Sequence, residues 1–430
     1  MIWWIYNTLF TVVYLALLPH FFIRMKRRGG YWTHFVQRFG KYNEQDLARF
    51  KETRRIWVHA VSVGEVGIAL KFIETWRRQH PEERFVLSIT TSTGNQIARD
   101  TLDDRDVVIY FPVDTPLVIR KVVRIINPKA YFMVESEFWP NLIRRLSKQQ
   151  VPIALINGRI SDRSFPRYMK LRAFSRRLMC LFNAFCVQSP LDRERVIALG
   201  APPDRVHVLQ SAKYEVAVRN PVGEADARAV LDQLGITPGT PLLMGGSTWP
   251  GEDRILAECY QRLKPDYPSL RLLLVPRHFE KADGVAANLD ALGLSYLRKT
   301  QLDATSAPQD ILILDTTGEM SNYYAHADLI FIGKSLCDRG GQNIIEPALY
   351  GKPILVGPNM QNFAQIMRDM LEAKAIVQVA DADGLRTEVE ALLADPTRRE
   401  AIGAQAAALV QRNAGALTRT VDLLWDVVEG

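Results

Sequence analysis

The stretch Ile56-Trp-Val-His-Ala-Val61-Ser-Val-Gly-Glu65-Val-Gly-Ile-Ala69 joins an apolar run to the start of a helix and sets one carboxylate, framed by Gly64 and Gly67, at the join. A short run rich in β-branched and aromatic residues, closed by small polar ones, predicts a buried strand. A Glu in the first turn of a helix is mildly stabilising in its own right, because negative charge suits the positive end of the helix dipole. Its place directly after a strand gives it a second reading, as a group that faces a ligand.

The same strand-then-helix unit recurs on both sides of the opening stretch. Strands are predicted at Arg55–Val61, Arg84–Thr90, Val107–Phe111, Lys129–Val134, Pro152–Ile156, Ala184–Gln188 and Val206–Leu209. Amphipathic segments such as Val66–Gln79, Asn95–Leu102, Leu117–Ile126, Pro140–Gln149 and Arg167–Leu181 lie between them. That alternation predicts an α/β fold with a parallel sheet covered on both faces. A polar stretch, Arg219-Asn-Pro-Val-Gly-Glu224, interrupts the pattern. It restarts with Leu242–Gly245, Arg271–Val275, Ser295–Leu297, Ile311–Leu314, Leu329–Ile332, Pro353–Val356 and Ile376–Val379. Two doubly wound, Rossmann-like halves are therefore expected, at residues 24–218 and 219–405, with a helix in 406–430 returning to the first half. Ligands of such sheets bind outside the carboxyl ends of strands, and the cleft between two halves is the natural site.

At 430 residues the chain has the length for two domains, and its 47% hydrophobic and 23% charged residues are an ordinary globular balance. Cys180, Cys186, Cys259 and Cys337 are scattered and predict reduced, mostly buried thiols. The segment Ile2 to Ile23 has no formal charge and approaches the length of about 20 apolar residues that spans a bilayer core. Residues 1–23 are expected to form a membrane anchor. Asn7, Thr8, Thr11, Pro19 and His20 leave open a helix lying in the interface, with Trp3, Trp4 and Tyr14 at headgroup level, or a helix packed on the core. Arg24, Lys26, Arg27 and Arg28 follow it, which by the positive-inside rule places the next domain on the cytoplasmic face. Between Arg24 and Arg55 ten basic residues stand against Glu44, Asp46 and Glu52, a surplus of seven that equals the net charge of the whole chain, +7. Basicity so localised suits an anionic membrane surface. A second run, Arg159, Arg163, Arg167, Lys170, Arg172, Arg176 and Arg177, suits an anionic acceptor or lipid, or a solvated helix face. No recognition module accompanies either run, so nucleic acid is not an expected partner.

Polar or glycine-rich runs follow many of the predicted strands. In the second half, Gly245-Gly-Ser247-Thr248 and Thr317-Gly318-Glu319-Met320 each bring free backbone N–H groups to a helix start, an arrangement that binds phosphate. Arg277 and His278, after an apolar strand, add a fixed charge and a second donor. Glu346, one turn inside a helix opened by Gly340-Gly-Gln-Asn343, is placed to accept hydrogen bonds from a ribose diol. Neither a G-x-x-x-x-G-K-[ST] loop nor a G-x-G-x-x-G turn after the first strand of a half is present, which argues against kinase and dehydrogenase chemistry. Asp104/Asp106 and Asp381/Asp383 have D-x-D spacing but lie away from strand ends, and no metal site is expected. Glu65 facing a phosphate-binding half is the minimum equipment for deprotonating a hydroxyl nucleophile, and Gly64 and Gly67 would leave room for a bulky substrate.

Taken in order, His59-Ala-Val-Ser-Val-Gly-Glu65, Thr90-Thr-Ser-Thr-Gly94, Tyr110-Phe-Pro-Val-Asp114, Glu135-Ser-Glu137-Phe-Trp-Pro-Asn141, Asn157-Gly-Arg159, Gly246-Ser-Thr248, Val275-Pro-Arg-His278, Asp315-Thr-Thr-Gly-Glu319 and Gly340-Gly-Gln-Asn343 with Glu346-Pro-Ala348 carry a resemblance over almost the whole chain. The sequence resembles the transferases of 3-deoxy-D-manno-octulosonic acid (Kdo), membrane-associated enzymes that move Kdo from CMP-Kdo to a lipid A precursor. The resemblance implies a GT-B fold, inversion at the anomeric carbon, no cofactor beyond the CMP-Kdo donor, and an address on the cytoplasmic face of the inner membrane. It makes Glu65 the general base and Glu137 a second essential carboxylate. Arg277 would bind the CMP phosphate; Gly318, Glu319 and Met320 the nucleotide; Asn343 and Glu346 phosphate and ribose; with Ser247, Thr248, His278 and Lys213 also on the donor side. Ser62, Gly64, Thr93 and Arg159 would meet the acceptor.

The departures from the family pattern fall on the donor side. G-S-T-H-x-G-E reads Gly246-Ser-Thr-Trp249-Pro-Gly-Glu252, G-N-x-K-[FY]-D reads Gln210-Ser-Ala-Lys213-Tyr-Glu215, F-x-G-G-S-L reads Phe331-Ile-Gly-Lys334-Ser-Leu, and G-G-H-N reads Gly340-Gly-Gln342-Asn. They keep a second reading open, a related GT-B transferase with another nucleotide sugar. Two hinged doubly wound domains also describe a non-enzymatic solute-binding protein. That reading expects an exported chain and leaves Glu65 without a task.

Overall fold

The computed structural model describes residues 3, 4, 6–14, 16, 35–216 and 219–429. The chain divides into unit 1, Met1–Val216 with Asn413–Gly430, and unit 2, Ala217–Arg412. The expected border at 405/406 falls inside one continuous helix, Pro396–Arg412, so the crossing point lies further along the chain.

Unit 1 is built on β1 (Ile56–Ala60), β2 (Phe85–Ile89), β3 (Val107–Tyr110), β4 (Ala130–Val134), β5 (Ile153–Gly158), β6 (Ala184–Val187) and β7 (Val206–Val208). They form one parallel sheet in the order β3-β2-β1-β4-β5-β6-β7. Every residue of β1 is buried, as a central strand covered on both faces requires. Alternation along it divides the core: Trp57 joins Tyr131 and Ile109 on one face, whereas Ile56, Val58 and Ala60 join Phe72 and Trp76 on the other. The second face is closed by the helix Ala416–Glu429, whose Leu417, Val421 and Leu424 are buried against it. Glu215 accepts a hydrogen bond from the Leu417 amide at 2.8 Å and so caps that helix.

Unit 2 holds β8 (Leu242–Thr248), β9 (Arg271–Pro276), β10 (Leu297–Arg298), β11 (Ile311–Ile313), β12 (Leu329–Ile332), β13 (Ile354–Val356) and β14 (Val377–Gln378), again all parallel, in the order β10-β11-β9-β8-β12-β13-β14. In each unit the strand order reverses beside the first strand, between β1 and β4 and between β8 and β12. Those reversals are where open sheets leave a crevice for ligand.

Part of the expected anchor, and Arg24 to Arg28 with it, lies outside the described residues. Residues 3, 4, 6–14 and 16 are helical, and no helix among the described residues is long and apolar enough to cross a membrane. The described part docks on unit 1. The Tyr6 hydroxyl donates to Asp114 at 2.9 Å, and Asn141 Nδ2 donates to Asn7 Oδ1 at 2.7 Å. Trp3 packs edge-on to Phe174 with the Arg144 guanidinium 4.7 Å from its ring centre, as the core-packed alternative has it. Trp4, Leu9, Val12 and Val13 remain exposed.

Two further expectations change. The predicted helix Arg167–Leu181 is two, Phe165–Lys170 and Arg172–Met179, broken at exposed Leu171, where the Ser175 hydroxyl donates to the Tyr168 carbonyl at 3.2 Å. Only Cys186 and Cys259 are buried; Cys180 and Cys337 are exposed.

Candidate functional site

The sequence-predicted residues of unit 1 stand at the carboxyl ends of four adjacent strands: Thr93 after β2, Ser62, Gly64 and Glu65 after β1, Glu137 after β4, and Arg159 after β5. Neighbouring strands lie about 4.8 Å apart, so this row spans about 15 Å, the scale of a sugar unit with its neighbour. Ser62 caps the helix Val63–Gln79: its hydroxyl accepts from the Glu65 amide at 3.3 Å and donates to Glu65 Oε1 at 2.9 Å. Glu65 Oε2 takes the Val61 amide at 2.9 Å. This reciprocal capping box fixes the carboxylate, yet each oxygen keeps a lone pair free. Burial pushes its carboxyl up to about 7, with the charges of Glu135 and Glu137 adding to the rise and the two hydrogen bonds opposing it. A base poised near neutrality takes up a proton and releases it with equal ease. A Cβ at Gly64 would meet nothing nearer than the Ser62 hydroxyl at 4.0 Å, so the space above the helix start is open.

After β4 the chain turns sharply, with Glu135 left-handed at φ 62° and its carboxylate 3.0 Å from Lys213 Nζ. Lys213 therefore stands in unit 1, engaged with a carboxylate. Glu137 makes no hydrogen bond or ion pair among the described residues, and burial raises its carboxyl above the usual range. The loop that carries it is fixed from below. Trp139 Nε1 donates to His59 Nε2 at 3.3 Å, which leaves the His59 proton on Nδ1, 2.9 Å from the Ser88 carbonyl. The imidazole stacks on Phe111 with centroids 3.9 Å apart, and burial pushes it down to about 3, so it is a neutral spacer. Asp114 accepts the amides of Asn141 and Leu142 at 3.0 and 2.9 Å and so holds the start of the helix Pro140–Ser147. Thr93 is exposed in the first turn of its helix, and Arg159 is half-buried with no ionic partner among the described residues.

In unit 2, Ser247, Thr248, Arg277, Met320, Asn343 and Glu346 come together. The Arg277 amide donates to the Thr248 carbonyl at 3.0 Å, and the Ser247 hydroxyl reaches Met320 Sδ at 3.4 Å. Arg277 is exposed and makes no ion pair among the described residues. Asn343 caps the helix Ile345–Leu349 through the Ile345 amide at 3.0 Å, and its Nδ2 holds Glu346 Oε1 at 2.9 Å. Burial raises the Glu346 carboxyl, against the pull of Asn343 and Arg277. Gly318 adopts φ +86° with open space at its Cβ position. Glu319 is taken up by Lys299 and offers its backbone rather than its carboxylate. His278 is exposed and meets Trp249 edge-on, centroids 5.5 Å apart. Among the described residues no three His, Cys, Asp or Glu side chains are placed to hold a metal ion.

One residue escaped the sequence reading. Glu252, fully buried, accepts five backbone amides: Ser335, Leu336 and Cys337 on Oε1 at 2.9, 2.9 and 3.3 Å, and Trp249 and Lys334 on Oε2 at 2.8 and 2.7 Å. It ties the loops after β8 and β12 to each other at the strand-order reversal. Its signal was available, a carboxylate after a Pro-Gly turn that directly follows a strand.

Two parallel seven-stranded α/β units with polar groups gathered at their strand ends define a GT-B-like protein. A glycosyltransferase from Rickettsia africae has the same fold, with a TM-score of 0.58 at 12% identity over 88% of this chain and 99% of its own. A sequence profile described as 3-deoxy-D-manno-octulosonic-acid transferase (kdotransferase) matches residues 33–216. The 3-deoxy-D-manno-octulosonic acid transferase of Haemophilus influenzae is 30% identical over 402 residues, 93% of this chain and 92% of that protein. That of Bordetella pertussis is 34% identical over 418 residues, 94% of each chain. The chain belongs to the Kdo transferase family of glycosyltransferases.

Proposed function

We propose that the protein transfers Kdo from CMP-Kdo to a sugar hydroxyl of a lipid A precursor, with inversion, and that Glu65 is the general base. The observation that carries this reading is the Glu65 carboxylate itself, fixed at the strand-order reversal of unit 1 with its pKa raised to about 7 by burial. In the transfer, the acceptor oxygen bonds to the anomeric carbon of Kdo as the bond from that carbon to the CMP phosphate oxygen breaks. The proton ends on Glu65 and the electron pair on CMP. Arg277 and the backbone N–H groups at residues 318–320 receive the charge that develops on the phosphate. Asn343 and Glu346 hold the ribose, with Ser247, Thr248 and His278 beside them. Glu137, unengaged by other side chains, meets the acceptor sugar, with Ser62, Thr93 and Arg159 along the same row of strand ends. Lys213 pairs with Glu135 beside the base.

We propose that the reaction runs at the cytoplasmic face of the inner membrane. Support comes from the basic surplus of residues 24–55 and from exposed Trp4, Leu9, Val12 and Val13. The test is transfer from CMP-Kdo, generated in situ, to a lipid A precursor in detergent with EDTA present and Glu65→Gln run in parallel. Product from the wild type alone supports donor, base and metal independence together. A second reading, another nucleotide sugar as donor, draws on Trp249, Lys334 and Gln342. A folded wild type inert with CMP-Kdo but active with a UDP-sugar, and inhibited by UDP rather than CMP, would establish it.

A further inference from the structure

Two residues on the loops after β8 and β12 of unit 2, Trp249 and Lys334, are coupled to each other. Lys334 and Trp249 touch: Lys334 Nζ lies 4.6 Å from the centre of the Trp249 ring. Their amides are bound to the same oxygen, Glu252 Oε2, at 2.7 and 2.8 Å. The loop geometry alone does not call for a lysine here. Residue 333 must be glycine, because a Cβ there would lie 2.3 Å from the Ser247 carbonyl oxygen. Residue 334 adopts φ 58°, a conformation that glycine enters freely and a lysine only against steric resistance. A side chain kept at such a position, at a strand-order reversal, points to a task.

The chemistry narrows that task. The Lys334 ammonium has no carboxylate partner among the described residues, and the Trp249 face fixes it without neutralising it. It follows β12, Arg277 follows β9, and β8 lies between them, so two cations flank the glycine-rich end of β8. Trp249 connects the two sides, with Lys334 Nζ 4.6 Å from its ring centre and the His278 ring centre 5.5 Å away. A ligand suited to this arrangement carries two anionic groups a few bonds apart. A nucleotide-linked ulosonic acid does so, with a phosphodiester and a carboxylate on the same anomeric carbon. We infer that Lys334, held on Trp249, binds the carboxylate of the ulosonic acid and leaves the phosphate to Arg277. The inference rests on the donor proposed above. It makes Lys334 and Trp249 determinants of donor specificity.

CMP lacks the carboxylate, which supplies the test. The KM for CMP-Kdo and the inhibition constant of CMP are compared in the wild type, Lys334→Gly, Lys334→Arg and Trp249→Leu. Lys334→Gly relieves the left-handed backbone, so a loss of affinity in it does not arise from misfolding. The expected result is a KM raised at least tenfold in Lys334→Gly, largely restored in Lys334→Arg and raised to a smaller extent in Trp249→Leu, with CMP inhibition within twofold of wild type throughout. Equal weakening of CMP-Kdo and CMP would assign Lys334 to the phosphate and overturn the inference. So would no change in either. A wild type that makes no product from CMP-Kdo overturns this inference and the proposed function together, whereas an active wild type with an insensitive variant overturns the inference alone.

Discussion

Glu65 was readable as a single carboxylate between two glycines, but its sequence setting fits a plain helix cap equally well. In the fold it caps the helix, and the proposed function gives it the second role of base. The capping box that fixes it also removes it from water, and burial raises its pKa to about 7. Replacement by Gln keeps the shape and removes the proton acceptor, so turnover should fall by about 10²–10⁴-fold while CMP inhibition is unchanged, since a positioned base contributes about that much. Full activity in the variant would falsify the assignment. A base must be ionised to act, so the wild-type rate should rise with pH along an acidic limb centred near 7. The Glu135 charge is one reason for that position. Removing it in Glu135→Gln favours ionised Glu65 and should move the limb to lower pH. A pH–rate profile that stays in place, or moves up, contradicts the electrostatic account.

At the scale of elements, the central strands were legible in the sequence because strands buried on both faces write continuous apolar runs, whereas the short, half-exposed edge strand β10 shares only Leu297 with the run predicted for it. Their order in the sheets was not, since it depends on which crossover goes to which side. For that reason the row Thr93, Glu65, Glu137, Arg159 appears only once β2, β1, β4 and β5 are seen to be neighbours. The partners of Glu252 were hidden for a related reason. Its five donors arrive from two loops, one of them more than eighty residues away in the chain. An ionised carboxylate accepts on both oxygens, whereas an amide would turn a donor toward some of those N–H groups. Glu252→Gln should therefore weaken CMP binding at least tenfold and destabilise unit 2 by about 1–3 kcal/mol, the typical cost of a buried polar group left unsatisfied. Isothermal titration with CMP and urea denaturation measure the two effects. Wild-type values in both would mean that the loops are held by other contacts.

On the scale of the whole molecule, the sequence reading anticipated two α/β halves and a terminal helix returning to the first, but misplaced the crossing. An Ala-rich helical pattern runs through the expected border without a stop signal, and the chain leaves unit 2 only after Arg412. The helix Ala416–Glu429 then completes unit 1. Besides its three buried aliphatic residues, Trp425 stacks on His80 with centroids 3.4 Å apart, and Lys129 bridges Glu83 and Glu429 at 2.7 Å each. Full burial of a Leu or Val contributes about 1.5–3 kcal/mol, so a chain shortened after Arg412 should lose several kcal/mol from unit 1. In thermal melts the unit 1 transition should fall or vanish while that of unit 2 persists. An unshifted unit 1 transition would show that the helix is dispensable.

The same helix sets an order of events in the cell. Unit 2 is one continuous segment, 217–412, whereas the first unit cannot close its sheet face until residues 413–429 have left the ribosome. At about 5–20 residues per second, that interval is about ten to forty seconds. Throughout it the core around Phe72 and Trp76, already packed on Phe85 and Phe132, lacks Leu417, Val421 and Leu424. The unit made first is thus the unit finished last.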